Sequence, residues 1–401
     1  LLDVVVFTLL GCVCGVITGL VPGLHVNNVV IILVSLSALL IDSFGLWSLL
    51  AFIVALSVMH SFVDYVPAIL VGAPQEDNVL STLPGQRLLS QGRGYEAIRL
   101  TVLGGLGATL FSALTLPFLY FALPQIYPVV RQHIPLLLAM VLAYMVYLEK
   151  GLRKRLYAML VVFYSGALGY IILNYPVLSP QYALFPALTG FFGISTILTS
   201  LRLRSAPPAQ SLTYSEGYYS RGVAAGAIGG ILAGLLPGIG SAQSALLVQS
   251  FFKRRDEKEF LVAHGGVNTA AAIFALLALY LIGNPRSGAS VAAAMLIGEA
   301  ELADFTFMLA VAMLTSSFAA LATLLIARAA IKRIGRINYT TLSLAVLAFL
   351  GLSILLFTGF YGVLVAITST AIGMLAAFAG VRRSHCMGVL ILPTIIYFLG
   401  I

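Results

Sequence analysis

The sequence predicts an all-α polytopic membrane protein made of two inverted-topology repeats. Composition gives the first half of that expectation. Of 401 residues, 60% are hydrophobic and only 9% charged, and the mean hydropathy is +1.05. A soluble domain carries roughly a quarter charged residues. A recurrent motif gives the second half. Gly19-Leu-Val-Pro22-Gly23-Leu-His25-Val-Asn27-Asn28 returns as Gly234-Leu-Leu-Pro237-Gly238-Ile-Gly240-Ser241-Ala-Gln243, with Pro22 and Pro237 215 positions apart. A second pair, Gly72-Ala-Pro74-Gln75-Glu76-Asp77-Asn78 and Gly283-Asn284-Pro285-Arg286-Ser287-Gly288, recurs at an offset of 211. Two features in one order at nearly one offset mark an internal repeat.

The elements follow from length. A helix needs about 20 residues to cross the hydrocarbon core. In the first half, runs at 4–20 and 28–41 flank the Pro22-Gly23 break, and 47–72 reads as one long helix. Residues 73–98 form a polar loop with a short helix. Spans follow at 99–123, 134–149, 155–173 and 184–201. The second half repeats this order: 221–236 and 241–252 around Pro237-Gly238, then 260–283, the Pro285 break, a short helix at 289–299, and spans at 305–330, 340–357, 361–380 and 385–400. The run 241–252 is too short to cross, so with 221–236 it reads as a hairpin that turns back inside the membrane. The domains expected are 1–204, a linker 205–219, and 220–401. The first apolar run leads straight into the repeated motif and is read as part of the fold, not as a cleaved signal.

Charge supplies orientation. The net charge of +8 is concentrated at the ends of apolar runs, the pattern of cytoplasmic topology signals. Lys150 to Arg155, Lys253 to Lys258, Arg328 to Arg336, Arg382-Arg383, and Arg87 and Arg93 in the first polar loop therefore go inside, as does the linker. Counting spans from these anchors puts Asp42 to Leu46 outside, although its counterpart Lys253 to Lys258 is inside. Glu299 to Asp304 is outside, although its counterpart 73–98 is inside. The two halves come out upside down relative to each other. Inverted repeats with interrupted helices are the plan of many secondary transporters, whose substrates sit where the interruptions meet.

Candidate contacts lie at those interruptions. Pro22, Gly23, His25, Asn27 and Asn28, and Pro237, Gly238, Gly240, Ser241 and Gln243, end or begin broken helices, where free backbone N–H groups suit an anion. Asn284, Arg286 and Ser287 follow the second Pro break, and the Arg286 fork suits a carboxylate or phosphate. His60 and Asp64, and His264 and Asn268, are pairs at i, i+4. Ionisable groups inside a membrane point to function, here coupling to a proton or sodium ion. His264 is expected near the cytoplasmic interface. Glu76 and Asp77 are further cation candidates. Cys12, Cys14 and Cys386 read as packing residues, and no zinc spacing, Walker loop or nucleophile–base set is present, so neither an enzyme nor a bound cofactor is expected.

Several segments together resemble the large permease subunit of the tripartite tricarboxylate transporters, the TctA family. They are Gly15-x-x-x-Gly19-x-x-Pro22-Gly23, Leu83-Pro-Gly85, Gln91-Gly92-Arg93-Gly94-Tyr-Glu-Ala97, Gly230-x-x-x-Gly234-x-x-Pro237-Gly238-x-Gly240, Asn268 with Ala270-Ala271, and Gly283-x-Pro285-x-Ser287-Gly288-Ala289. The stretch His60-Ser-Phe-Val-Asp64-Tyr-Val-Pro67, with Gly72, departs from the family pattern and marks a divergent member. The resemblance implies a cation-driven importer of small organic anions in the plasma membrane, with a small membrane subunit and a soluble binding protein as partners. A homodimer is a further expected assembly. The alternative reading is a polyprenyl-phosphate transporter (flippase), which also uses repeated Pro-Gly hairpins.

Overall fold

The computed structural model describes residues 2–21, 26–35, 37–71, 82–175, 178, 183–201, 208–236, 240–241, 244–245, 247–248, 256–334 and 339–400. Regular structure among them is helical throughout. The first part holds α1 (Leu2–Leu20), α2 (Val26–Ser35), α3 (Ser37–Phe44), α4 (Leu46–Val63), α5 (Tyr65–Leu70), α6 (Thr82–Ser90), α7 (Gly94–Gln132), α8 (Ile134–Tyr147) and α9 (Leu152–Asn174). Then come α10 (Leu184–Leu188), a π turn (Thr189–Ile194) and α11 (Ser195–Leu201). The later part holds α12 (Ser220–Leu235), α13 (Glu257–Ile282), α14 (Gly288–Ile297), α15 (Leu302–Ile334), α16 (Tyr339–Ala379), a 3₁₀ turn (Arg383–Met387) and α17 (Gly388–Leu399). Among the described residues, 7 helices are long and apolar enough to cross a membrane.

Glycine decides which helices touch. Gly11 faces Phe52 and Ala55, Gly15 faces Leu56 and Met59, and Gly19 faces Val63. The numbers rise together, so α1 and α4 run parallel. In the same way Gly226 faces Ala263 and Gly266, Gly230 faces Ala270, and Gly234 faces Phe274, so α12 and α13 run parallel. Between apolar helices in lipid there is no hydrophobic drive to associate, and small residues that bring backbones into contact supply the attraction instead.

Contacts along α7 and α15 fix the remaining directions. Glu96 pairs with Lys258 at one end of α7, and Tyr127 meets Asn284 at the other, so α7 is parallel to α13. The Trp47 ring packs on Phe307, so α15 starts beside the start of α4. It ends beside the start of α7, where Arg328 donates to the Tyr95 hydroxyl. Ser61 and Tyr65 meet Asn268 and His264 respectively, so α4 and α13 cross antiparallel. Thus α1, α4 and α15 start at one face, and α7, α12 and α13 start at the other.

A second core is built on α8, α9, α10, α16 and α17. Gly359 has φ 63° and interrupts α16. Leu350 lies at Gly193 and Phe357 at Phe185, while Ala366 and Ser369 lie at Gly190 and Gly373 at Phe191 and Ser195. The first arm of α16 therefore runs against α10 and α11, and the second arm runs with them.

Two sequence-based boundaries move. The run 47–72 is interrupted at Asp64, because Pro67 has no N–H to donate back to the carbonyl of Val63. Helix α7 does not end near 123. It runs 39 residues through Pro117, Pro124 and Pro128, about 58 Å at 1.5 Å per residue. Neighbouring helices can cover the carbonyls that such prolines free in a membrane protein. The expected hairpin return at 241–252 falls mostly outside the described residues.

The closest backbone approach is between α7 and α13, where a Cβ on Gly104 would lie 1.9 Å from the Val262 carbonyl oxygen. Gly104→Ala is expected to lower stability by about 1–3 kcal/mol or more, read as a fall in the thermal unfolding temperature in detergent. Gly351→Ala, with no atom within 4 Å of the added carbon, is the matched control and should leave that temperature unchanged or slightly raised.

Candidate functional site

The polar centre of the molecule lies where α1, α4 and α13 meet. Most of the surfaces of α4 and α13 are enclosed by other helices: Leu50, Ile53, Leu56, Leu261, Val267 and Leu277 are all inaccessible. The ionisable groups on them are buried too. His60, Asp64 and Asn268 are 5%, 1% and 6% exposed, and His264 is 0% exposed. His264, near the start of α13, is thus enclosed by protein. Helices α7, α12 and α4 cover those first turns.

Hydrogen bonds join the two halves of the chain here. His60 Nδ1 lies 2.9 Å from Thr18 Oγ1, tying α4 to the last turn of α1. The Tyr65 hydroxyl lies 2.9 Å from His264 Nδ1 and donates to the His264 carbonyl at 3.1 Å. The two rings meet edge to face at 5.9 Å. Asn268 Nδ2 donates to the Ser61 carbonyl, and Ser241 Oγ donates to Asn268 Oδ1, each at 3.4 Å. His264 Nε2 is buried without a hydrogen-bond partner among the described residues. Such a group carries a desolvation penalty unless something occupies the space beside it. The buried groups are a carboxylate, two imidazoles, an amide and three hydroxyls. These are groups that can pass protons or coordinate a monovalent cation.

Arg286 is held elsewhere. Its Nη2 donates to the Tyr127 hydroxyl near the end of α7, and Asn284 Nδ2 donates to the same oxygen at 3.3 Å. Ser287 caps α14 through a reciprocal bond with Ser290, and the Arg286 backbone N–H donates to Ser290 Oγ at 2.9 Å. The N-terminal part of α14 packs near the start of α2, in one cluster with Val26, Val30 and Phe52. The second break therefore sits against the first hairpin.

Of the other sequence-based candidates, Gly240 precedes the buried Ser241 and is half-buried. Asn27 and Asn28 lie in the first turn of α2, and their side chains are outside the described residues. Pro22, Gly23, His25, Glu76, Asp77, Pro237, Gly238 and Gln243 are also outside them. Thr18, Tyr65 and Tyr127 were missed. Tyr65 adjoins Asp64 in the one polar stretch of α4 and could have been picked out there. Tyr127 carries no local signal, since its partner is 159 residues away.

A third polar assembly lies at the face where α7 and α13 start. Buried Glu96 accepts from Arg93 Nε at 2.7 Å and Ser215 Oγ at 2.8 Å, and pairs with Lys258 Nζ at 3.0 Å. Ser211 N–H donates to the Gly92 carbonyl at 2.8 Å, where Gly92 has φ +78°. The Gln-Gly-Arg segment thus turns through a left-handed residue and clasps the linker.

With this geometry in view, the comparisons are decisive on family. The sequence profile of the tripartite tricarboxylate transporter TctA family matches residues 5–388. The chain belongs to that family. It is also similar to the Uncharacterized protein MJ1079 of Methanocaldococcus jannaschii, 31% identical over 407 residues and covering 98% of each chain. No solved structure gives a significant match. Membership makes this a multi-pass membrane protein of a transporter family. The glycine contacts, the Asp64 interruption and the Glu96 clasp all fall within the matched span.

Tyr65→Phe removes the hydroxyl that links α5 to α13. The expected cost is about 0.5–1.5 kcal/mol, seen as a lower unfolding temperature with the protein still monodisperse on size exclusion.

Proposed function

We propose that the protein is a secondary active transporter of a small organic anion of the carboxylate class, coupled to protons or sodium ions and working by alternating access. One observation carries the reading: Tyr65 of the first half meets His264 of the second, and Ser61 meets Asn268, which also meets Ser241, while His60 and Asp64 are buried on the same stretch of the first half. Residues so placed are costly in a membrane and mark ion or substrate pathways. Halves 1–204 and 220–401 act as inverted repeats. The support is directional: α1 and α4 start at the face opposite to that where α12 and α13 start, and α7 and α15 are likewise opposed.

Orientation follows the same evidence of charge. The face carrying Arg93, Arg99, Lys258, Lys332 and Arg333 is cytoplasmic by the positive-inside rule, which places the linker there. The membrane is the plasma membrane. A small membrane subunit and a soluble binding protein complete the system, as the family description "tripartite" suggests.

In this mechanism the coupling ion binds at Asp64, with His60 and His264 as proton carriers or positioning groups. Substrate is held between the Pro-Gly tips and the Pro-break segments. Exposure alternates as one part of the repeat pair rocks against the other. The test is uptake of labelled citrate and succinate by reconstituted vesicles, under separate sodium and pH gradients. Asp64→Asn is expected to fold and bind membranes normally but to lose uptake by at least about a hundredfold. Normal uptake by Asp64→Asn would overturn the coupling site. Stabilisation by a polyprenyl phosphate and by no carboxylate would overturn the substrate class.

A further inference from the structure

The cationic residues are segregated almost completely. Among the described lysines and arginines, all but two lie at the face where α7, α12 and α13 start, or at the ends of the second core that carry Lys150 to Arg155 and Arg382-Arg383. The exceptions are Arg131 and Arg286. Both lie at the opposite face, which carries Asp42, Glu299, Glu301 and Asp304. Topology offers no reason for cations there. Arg286 is bonded to Tyr127, and Arg131 is one turn beyond Tyr127 at i+4, on the same face of α7.

Among the described residues neither arginine has an acidic partner. The ion pairs among the described residues involve Arg87, Arg93, Lys258, Arg382 and His385, and none involves Arg131 or Arg286. Arg286 Nε is buried with no acceptor among the described residues. Tyr127 is 8% exposed, and its oxygen already accepts from both Arg286 and Asn284. Its own O–H is thereby left to donate. The Arg286 guanidinium, Asn284 Nδ2 and the Tyr127 O–H thus gather hydrogen-bond donors at one spot, with Arg131 a turn away on α7. Two like charges left unpaired are unfavourable, and an anion that bridges them relieves both.

We propose that Arg286, Arg131 and Tyr127 form an anion-binding site on the face opposite the basic one, separate from the central cluster, that takes a ligand with two carboxylates. One carboxylate pairs with the Arg286 fork and receives the Tyr127 O–H, and the other is met by Arg131. Arginine suits this task because its planar fork binds a carboxylate through two parallel N–H donors. The site deepens the transport reading and rests on it: it is where the substrate first docks from that side, before it reaches the central cluster.

The test uses the full chain in detergent, with succinate as the two-carboxylate probe and acetate as the one-carboxylate control, followed by calorimetry. Succinate is expected to bind at least about tenfold more tightly than acetate, and more weakly as sodium chloride is raised. Arg286→Ala should weaken succinate by roughly a hundredfold, Arg131→Ala by roughly tenfold, and Arg286→Lys by an intermediate factor. Circular dichroism and monodispersity show that each variant is folded. Arg131 is exposed, so its variant keeps the test valid if Arg286→Ala does not fold. Asp64→Asn should lose uptake yet bind succinate as before.

Equal binding of succinate to the wild type, Arg131→Ala and Arg286→Lys would overturn the site and leave the transport reading standing. So would loss of succinate binding in Asp64→Asn, which would make the central cluster the only site. Arginine-dependent binding with no carboxylate uptake in vesicles would do the reverse. Absence of succinate binding to the wild type overturns the site outright.

Discussion

Backbone-to-backbone contact at glycine is the constraint on which this structure depends. Helices α4 and α13 carry the ionisable groups, and they are the most enclosed of the long apolar helices among the described residues. They are enclosed because Gly11, Gly15 and Gly19 let α1 lie flush on α4, and Gly226, Gly230 and Gly234 let α12 lie flush on α13. Gly104 and Gly265 do the same between α7 and α13, where each side meets the other's carbonyl oxygen. Without that fit, His60, Asp64, His264 and Asn268 would face lipid, where an unsatisfied polar group is costly. The interruption at Asp64 depends on it too, since Pro67 leaves a carbonyl that lipid could not satisfy.

The polar groups away from the centre fall into two kinds. Glu96 and Glu149 serve as anchors. Glu96 gathers Arg93, Lys258 and Ser215, so one carboxylate joins α7, the start of α13 and the linker. Glu149 accepts from the Arg382 N–H and lies 3.0 Å from His385 Nε2, joining the start of α9 to the start of α17. Each anchor is at a helix end and links the first half of the chain to the second. Arg286 and Tyr127 are of the other kind, because their donors outnumber their acceptors. Among the described residues, Arg286 and Arg131 are in no ion pair and stand apart from the basic face.

Much of this was legible from residues alone. Alternation of long apolar runs with Pro-Gly breaks gave the helices, because a membrane span has a length that sequence must supply. His60 with Asp64 and His264 with Asn268 stood out because ionisable residues in apolar runs are rare for energetic reasons. The span expected at 99–123 runs on to Gln132, through Pro124 and Pro128. Tyr127 as the partner of Arg286 was not legible, since tyrosine near a membrane boundary is common and nothing local distinguishes this one. The burial of His264 was illegible for a related reason. Its depth is set by helices α4, α7 and α12, not by its distance from the end of α13.

The sequence by itself determined the class of the protein, the order of its helices, the repeated breaks and the segregation of charge. Each of these follows from local hydropathy and spacing, which a bilayer reads directly. Tertiary structure alone decided which polar residues meet. It brought Tyr65 to His264 across 199 positions and Ser61 to Asn268 across 207, and it put Arg286 beside Tyr127 instead of in the central cluster. Those pairings depend on the direction and crossing of α4, α7 and α13, and that geometry is set by packing between glycine-bearing faces far apart in the chain.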